Sequence, residues 1–262
     1  MIPLIDIGVN LTNRSLQRDL DGVLQRAESS GVHQMVVTGT NIHESAEAIK
    51  LCQQHPDRLV STCGIHPHHA DEWSDSSFAR LSKLATSSCV RAIGETGLDF
   101  NRNYASVQNQ EHAFSEQLRL AIELKMPLFC HQRDAHSRFV ELLREHRDRI
   151  TKLVVHCFTD SRTALIDYLD LDCYIGITGW ICDERRGQEL QQLVKLIPAN
   201  RLMLETDAPY LLPRNLDPRP SSRINEPAHL GHILREVAMH RDETPAELAS
   251  VCARNSRQFF DL

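Results

Sequence analysis

Aromatic residues are scarce in this chain: eight Phe, four Tyr and two Trp among 262 residues. That excludes an extended platform on which a long polynucleotide could stack its bases. Positive charge is not in excess either. A formal net charge of −6 argues against wide, nonspecific wrapping of nucleic acid, which needs an extended basic surface, although a narrow cleft holding a few phosphates is still allowed. No apolar run approaches the ~18 residues of a membrane span, so no membrane association is expected. The start, Met1-Ile2-Pro3-Leu4-Ile5-Asp6, lacks a basic segment, a long apolar stretch and a small-residue cleavage site, and no secretory signal is expected from it. The eight cysteines, Cys52, Cys63, Cys89, Cys130, Cys157, Cys173, Cys182 and Cys252, are scattered and include no C-x-x-C pair. Reduced core thiols in a cytoplasmic protein are the expectation. No internal repeat, low-complexity tract or Ser/Gly linker marks a boundary, so residues 1–262 are expected to form a single domain, and the protein a monomer.

What is present is an alternation. Short runs rich in Val, Ile and Leu occur at Leu4–Val9, Gln34–Val37, Leu59–Ile65, Val90–Ile93, Pro127–Cys130, Lys152–Val155, Cys173–Ile177 and Arg201–Leu204, as buried parallel strands should read. Amphipathic stripes separate them. Leu16, Leu20, Val23, Leu24 and Ala27 form one, with Gly31 as its stop; others run through Phe114 and Leu118, Phe139 and Leu143, Leu190 and Val194, and Leu230 and Val237. Eight strand-like runs alternating with helices predict an α/β fold, a (β/α)8 TIM-like barrel; a doubly wound open sheet is the competing architecture.

The polar residues that follow the runs carry the functional signal. In chain order they are Asn10, Thr38, His66, Glu95, His131, His156, Thr178 and Asp207. In a (β/α)8 barrel the C-terminal strand ends converge on one mouth, where active sites are built. Singly, each His reads as a hydrogen-bonded loop residue and each acid as a helix cap. Together, three imidazoles and two carboxylates at equivalent positions are too many ionisable groups to bury without compensation. A divalent cation supplies it. Imidazole with carboxylate suits Zn2+, Mn2+ or Fe2+, while a carboxylate- and water-rich shell suits Mg2+.

These residues sit in stretches that resemble the TatD family of metal-dependent deoxyribonucleases, within the amidohydrolase-like barrels. The stretches are Gly64-Ile65-His66-Pro67-His68, Ile93-Gly94-Glu95-Thr96-Gly97-Leu98-Asp99-Phe100, Pro127-Leu128-Phe129-Cys130-His131-Gln132-Arg133-Asp134-Ala135, Val155-His156-Cys157-Phe158-Thr159, Leu204-Glu205-Thr206-Asp207-Ala208-Pro209-Tyr210 and Arg223-Ile224-Asn225-Glu226-Pro227. The resemblance spans essentially the whole chain. It implies phosphodiester hydrolysis with a divalent metal held by Glu95, His131 and His156. Asp207 is then a catalytic base and a possible further ligand, and His66 a group that contacts the scissile phosphate or protonates the leaving oxygen. Many relatives carry H-x-H after the first strand; here Gly8 and Asn10 stand in its place. The departure resembles the TatD subgroup proper, and it shifts the expected ion toward Mg2+, with Mn2+ or Zn2+ as alternatives. The resemblance implies a 3′-5′ exonuclease acting on single-stranded DNA or RNA ends, in DNA repair or nucleic-acid turnover. Arg133, Asn10, Tyr210 and Arg223 are the expected substrate contacts. Two rival readings are a barrel hydrolase of small amides, lactones or phosphoesters, and a binding protein that has lost its chemistry.

Overall fold

Each short apolar run forms a strand in the computed structural model, which describes residues 3–262. Met1 and Ile2, the first residues of the expected domain, lie outside the described residues. In chain order the elements are β1 (Leu4–Val9), α1 (Arg14–Gln17), α2 (Leu20–Ser29), β2 (Val32–Val37), α3 (Ile42–Gln54), β3 (Leu59–Cys63), α4 (Ser77–Ala85), β4 (Val90–Asp99) and α5 (Val107–Leu124). Then follow β5 (Leu128–Arg133), α6 (His136–Arg144), β6 (Leu153–Val155), α7 (Arg162–Asp170), β7 (Tyr174–Ile177), α8 (Gln188–Leu193), β8 (Leu202–Leu204), α9 (Leu230–His240) and α10 (Pro245–Phe260). The strand order is β1 to β8 without a reversal, as a TIM-like (β/α)8 barrel requires and a doubly wound sheet forbids. Among the described residues no helix is long and apolar enough to cross a membrane.

Three features depart from the sequence expectation. The stripe from Leu16 to Ala27 is two helices, because Asp19 takes an extended φ of −144° between α1 and α2. A helix not expected, α10, starts with a capping box: the Thr244 hydroxyl accepts from the Glu247 N–H, Glu247 reaches back to Thr244, and Pro245 stands at the first turn. Finally, β4 does not stop near Ile93 but continues to Asp99, and β5 continues to Arg133.

Backbone contacts divide the chain into two compact units. One runs through Val37, takes up Cys157–Arg162 and continues from Ile175 to Leu262. Within it β1 pairs with β2 in parallel, and β7 with β8. The Asn255 side chain of α10 donates to the carbonyls of Ala199 and Leu202, both at 2.8 Å, tying that helix to the start of β8.

Asp6, fully buried on β1, accepts hydrogen bonds from the Thr206 N–H at 2.9 Å and hydroxyl, and from the Gly8 N–H at 3.2 Å. Burial nevertheless outweighs these bonds and pushes its carboxyl up to about 7. The unfolded chain ionises near 3.8 while the folded one resists, so Asp6 costs stability progressively between 3.8 and about 7. At ~1.4 kcal/mol per pH unit that penalty has an upper limit of roughly 4 kcal/mol. Asp6→Asn, which keeps an acceptor and stays neutral, is therefore expected to raise the denaturation midpoint more at pH 8 than at pH 5. Equal effects at both pH values in chemical denaturation would contradict the assignment.

The second unit comprises Thr38–His156 and Thr163–Tyr174. In it β3, β4, β5 and β6 pair in parallel in sequence order. Helix α5 packs against β4 and sends two buried glutamines to the backbone beyond it. Gln117 accepts from the Ile65 N–H at 2.7 Å and donates to the Ile65 carbonyl at 2.9 Å. Gln110, two turns earlier, does the same at Asp99, at 2.8 and 3.1 Å. A buried amide that satisfies both groups of one peptide residue holds that segment in register. The two held segments carry His66 and Asp99.

Candidate metal centre

Glu95 lies inside β4, not beyond its end. Pairing of β4 with β5 is interrupted after Ile93↔Leu128 and resumes at Thr96↔Cys130. The interruption needs glycine. Gly94 has φ +148° and Gly97 φ +132°; a Cβ on either would stand 2.2 Å from the Phe129 carbonyl oxygen or 1.9 Å from that of His131. β4 thus approaches β5 closely along this stretch. The Glu95 N–H donates to the Gly39 carbonyl at 2.8 Å, and its side chain is buried.

Three imidazoles surround that carboxylate. Glu95 Oε1 is 2.7 Å from His156 Nε2, 3.2 Å from His66 Nε2 and 3.2 Å from His131 Nδ1. Donor atoms of His66, Glu95 and His131 all lie within 4.8 Å of one another, so the centre is assembled from β4, β5, the segment after β3 and the residue after β6. Burial alone would raise the Glu95 carboxyl. The His156 and His66 imidazoles and the hydrogen bonds of His131 and His156 outweigh it and hold the group well below the usual carboxylate range.

The imidazoles are not equivalent. His66 Nδ1 accepts the His68 N–H at 3.0 Å, which leaves the ring proton on Nε2, facing Glu95. A metal-bound imidazole ordinarily donates its second N–H outward; His66 does the reverse, so it fits a hydrogen-bond donor better than a ligand. Burial lowers it to about 4, which suits a neutral donor. His131 has the ligand arrangement: Nε2 lies 3.3 Å from Asp99 Oδ2 while Nδ1 faces Glu95.

Asp99 was not singled out by the sequence reading. It is buried, with Oδ2 also 2.7 Å from His68 Nε2, while Oδ1 accepts the N–H groups of Asn101 at 3.0 Å and Arg102 at 2.8 Å. Against the cost of burial, its bonds to His131 and His68 keep it ionised far below the normal range. The signal for it was present, since alternation along a strand puts residues 95, 97 and 99 on one side. Arg133 lies opposite Asp99 in the β4–β5 ladder and, among the described residues, forms no ion pair.

The remaining expected residues belong to the other unit. Asp207 takes φ +53°; its N–H donates to the Gly8 carbonyl at 2.9 Å. Asn10, expected to touch substrate, spends its amide on Asp207 Oδ1 at 3.1 Å and on the Ala208 carbonyl at 3.4 Å, which orients the acid. Tyr210 is exposed, its hydroxyl 3.3 Å from the Asn13 amide, and Arg223 is exposed. Asn225, two residues on, is buried and donates to the Thr206 carbonyl at 2.9 Å, so that motif braces the Thr206–Pro209 turn. Glu205, also without an assigned role from sequence, is fully buried and accepts the Cys157 N–H at 2.5 Å.

The chain matches the family of TatD-related DNases over residues 5–261. A protein of Erwinia tasmaniensis named 3′-5′ ssDNA/RNA exonuclease TatD is 52% identical over 259 residues, 99% of this chain and 100% of that protein. The protein of the same name from Salmonella typhimurium is 51% identical, with 99% of each chain covered. The crystal structure of a TatD homologue from Escherichia coli K12 is similar with a TM-score of 0.91 at 26% identity, covering 100% of both chains.

Proposed function

Because the chain belongs to the family of TatD-related DNases, we propose that it is a divalent-metal-dependent nuclease that shortens single-stranded DNA, and RNA, from the 3′ end. The observation that carries the reading is the buried Glu95 carboxylate enclosed by three imidazole nitrogens. An ionised carboxylate with this donor set fits a divalent cation, held by Glu95, His131 and His156. Mg2+ is the ion favoured by the loss of imidazoles at Gly8 and Asn10, with Mn2+ or Zn2+ as substitutes. Such an ion, when bound, polarises a phosphoryl oxygen and acidifies water.

The chain's own groups supply the rest. His66 donates its Nε2–H to a phosphate oxygen or to the departing 3′ oxygen. Asp99 holds His131 in the tautomer that keeps Nδ1 available. Asp207, oriented by Asn10, accepts the proton of the attacking water and is a possible further ligand. Arg133, Tyr210 and Arg223 contact the substrate strand, Arg133 and Arg223 at phosphates and Tyr210 at a base. On this reading residues 1–262 act as one catalytic domain, as a monomer in the cytoplasm, in DNA repair or nucleic-acid turnover. Eight cysteines without a disulfide suit that reducing compartment.

The test is timed digestion of end-labelled single- and double-stranded DNA and RNA with Mg2+, Mn2+, Zn2+ or chelator. Single strands labelled at the 5′ end should shorten stepwise, a 3′ label should leave first as a mononucleotide, and chelator should stop both. Internal cuts, or hydrolysis of small amides and esters with nucleic acid untouched, would overturn the reading.

A further inference from the structure

A second cluster of reactive side chains lies at the start of β4, away from the Glu95 centre. Cys89 immediately precedes Val90, and its carbonyl accepts the Ser61 N–H of β3 at 2.8 Å. Its sulfur lies 3.3 Å from the Ser87 hydroxyl and 4.0 Å from the carbonyl of Ile49, on α3. Cys52 is one turn further along α3, and helical side chains lean back over the preceding turn. The two thiols are therefore close neighbours that interact electrostatically, and both are free cysteines. The Ser61 hydroxyl, fully buried beside the two sulfurs, forms no hydrogen bond among the described residues.

The two sulfurs differ in access. Cys52 is completely buried, whereas Cys89 is partly exposed, so charge is cheaper on Cys89. The neighbouring Cys52 thiol pulls Cys89 down to about 6 against the cost of burial, and the same contact drives Cys52 up. Most buried cysteines are inert; a partly exposed one stabilised as thiolate is a nucleophile.

Ile49 and Ser87, which touch Cys89, also line a groove of about 660 Å³ between α3 and α4. Leu84 adds an apolar wall, and Arg80 and Lys83 supply cationic side chains. Neither Arg80 nor Lys83 forms an ion pair among the described residues. In a chain of net charge −6, this locally cationic groove favours an anion beside a reactive sulfur.

We propose that Cys89 and Cys52 form a redox-active dithiol, oxidised by anionic low-molecular-weight disulfides that enter through this groove. The Cys89 thiolate attacks one sulfur of the small disulfide, forming a mixed disulfide and expelling one thiolate. Cys52 then attacks the Cys89 sulfur, gives its proton to the departing second thiolate and closes the Cys52–Cys89 bond. Two protein thiols are oxidised by two electrons, and one small disulfide is reduced to two thiols. The product joins α3 to the start of β4 and is reversed by a reducing pool, as transient cytosolic disulfides are.

The test incubates the intact protein with glutathione disulfide, quenches with an alkylating agent and maps modified peptides by mass. The parent should yield the Cys52–Cys89 crosslink, Cys52→Ala should stop at one glutathione adduct on Cys89, and Cys89→Ser should give neither, with circular dichroism confirming that each variant is folded. Replacing Arg80 and Lys83 by Ser should slow the reaction with glutathione disulfide several-fold and leave that with neutral 2-hydroxyethyl disulfide unchanged. An unreactive parent, or adducts at Cys157 with Cys89 still free, would overturn the dithiol. Equal rates for the charged and neutral disulfides in parent and variant would overturn the groove as its entry.

Discussion

Glu95→Gln is expected to lower metal-dependent cleavage by at least about a thousandfold, on the order of 4 kcal/mol of transition-state stabilisation, with the fold intact. The substitution keeps the shape of the side chain and removes its charge. Glu95 Oε1 is the one atom that His66, His131 and His156 all approach within 3.2 Å, so the neutral amide leaves three imidazoles without the anion that balances a cation. Gln still donates and accepts, so the variant should fold, but its apo form should melt below the apo parent, because the depressed Glu95 carboxyl stabilises the folded state at neutral pH. The parent should gain thermal stability from its ion, about 2.7 kcal/mol at a hundredfold excess over the dissociation constant. The variant should gain none. Calorimetric titration with Mg2+ or Mn2+, run beside the cleavage assay, checks both; a folded Glu95→Gln protein that still cleaves at the parent's rate would remove Glu95 from the chemistry.

The reason Glu95 could be read from sequence also explains why its partners were read less well. A strand-and-helix alternation places every strand end at an equivalent position, so polar residues at those ends declare themselves without any contact being known. That logic found His66, Glu95, His131 and His156. It misplaced the end of β4, because Gly94 and Gly97 resemble the close of a strand. In the structure they are what allows β4 to run on beside β5, through backbone angles and contacts that a side chain would block. The extra length carries Asp99 to the centre. For Asn10 only the position was legible: a side-chain amide pairs equally well with a phosphate or with a neighbour, and geometry adds that it donates to Asp207.

Local signals were uneven in the same way. Hydrophobic periodicity marked α2, α5, α6, α8 and α9, since each buries one apolar stripe. The break between α1 and α2 is a backbone event at Asp19 within a continuous stripe, and periodicity is blind to it. The cap of α10 was legible, with Thr244, Pro245 and Glu247 in their required order. What the sequence could not supply was the pair of α5 glutamines, because a buried Gln that clamps a distant peptide looks like any solvated one until the strand beside it is in place.

Asp99→Asn is expected to weaken metal binding by about 10–100-fold, the usual effect of losing the carboxylate behind a ligating imidazole. In the parent, Oδ1 accepts two backbone N–H groups of the following turn while Oδ2 faces the Nε2 atoms of His131 and His68. All four partners are donors or can be, so an acceptor-only group suits the position. An amide cannot satisfy it in either orientation. With its oxygen kept on the turn, its NH2 meets two imidazole nitrogens, and His131 must turn Nε2 into an acceptor and carry its proton on Nδ1. That proton then faces Glu95, where the lone pair for the ion was. With the amide flipped, the NH2 confronts the Asn101 and Arg102 N–H groups instead. The first outcome is the milder one and makes a specific demand: half-saturation by Mg2+ or Mn2+ should move to about 10–100-fold higher concentration, and cleavage should recover in large part at saturating ion. Destabilisation alone would lower the melting temperature and leave the metal dependence where it was, and that result would confine Asp99 to bracing the turn after β4.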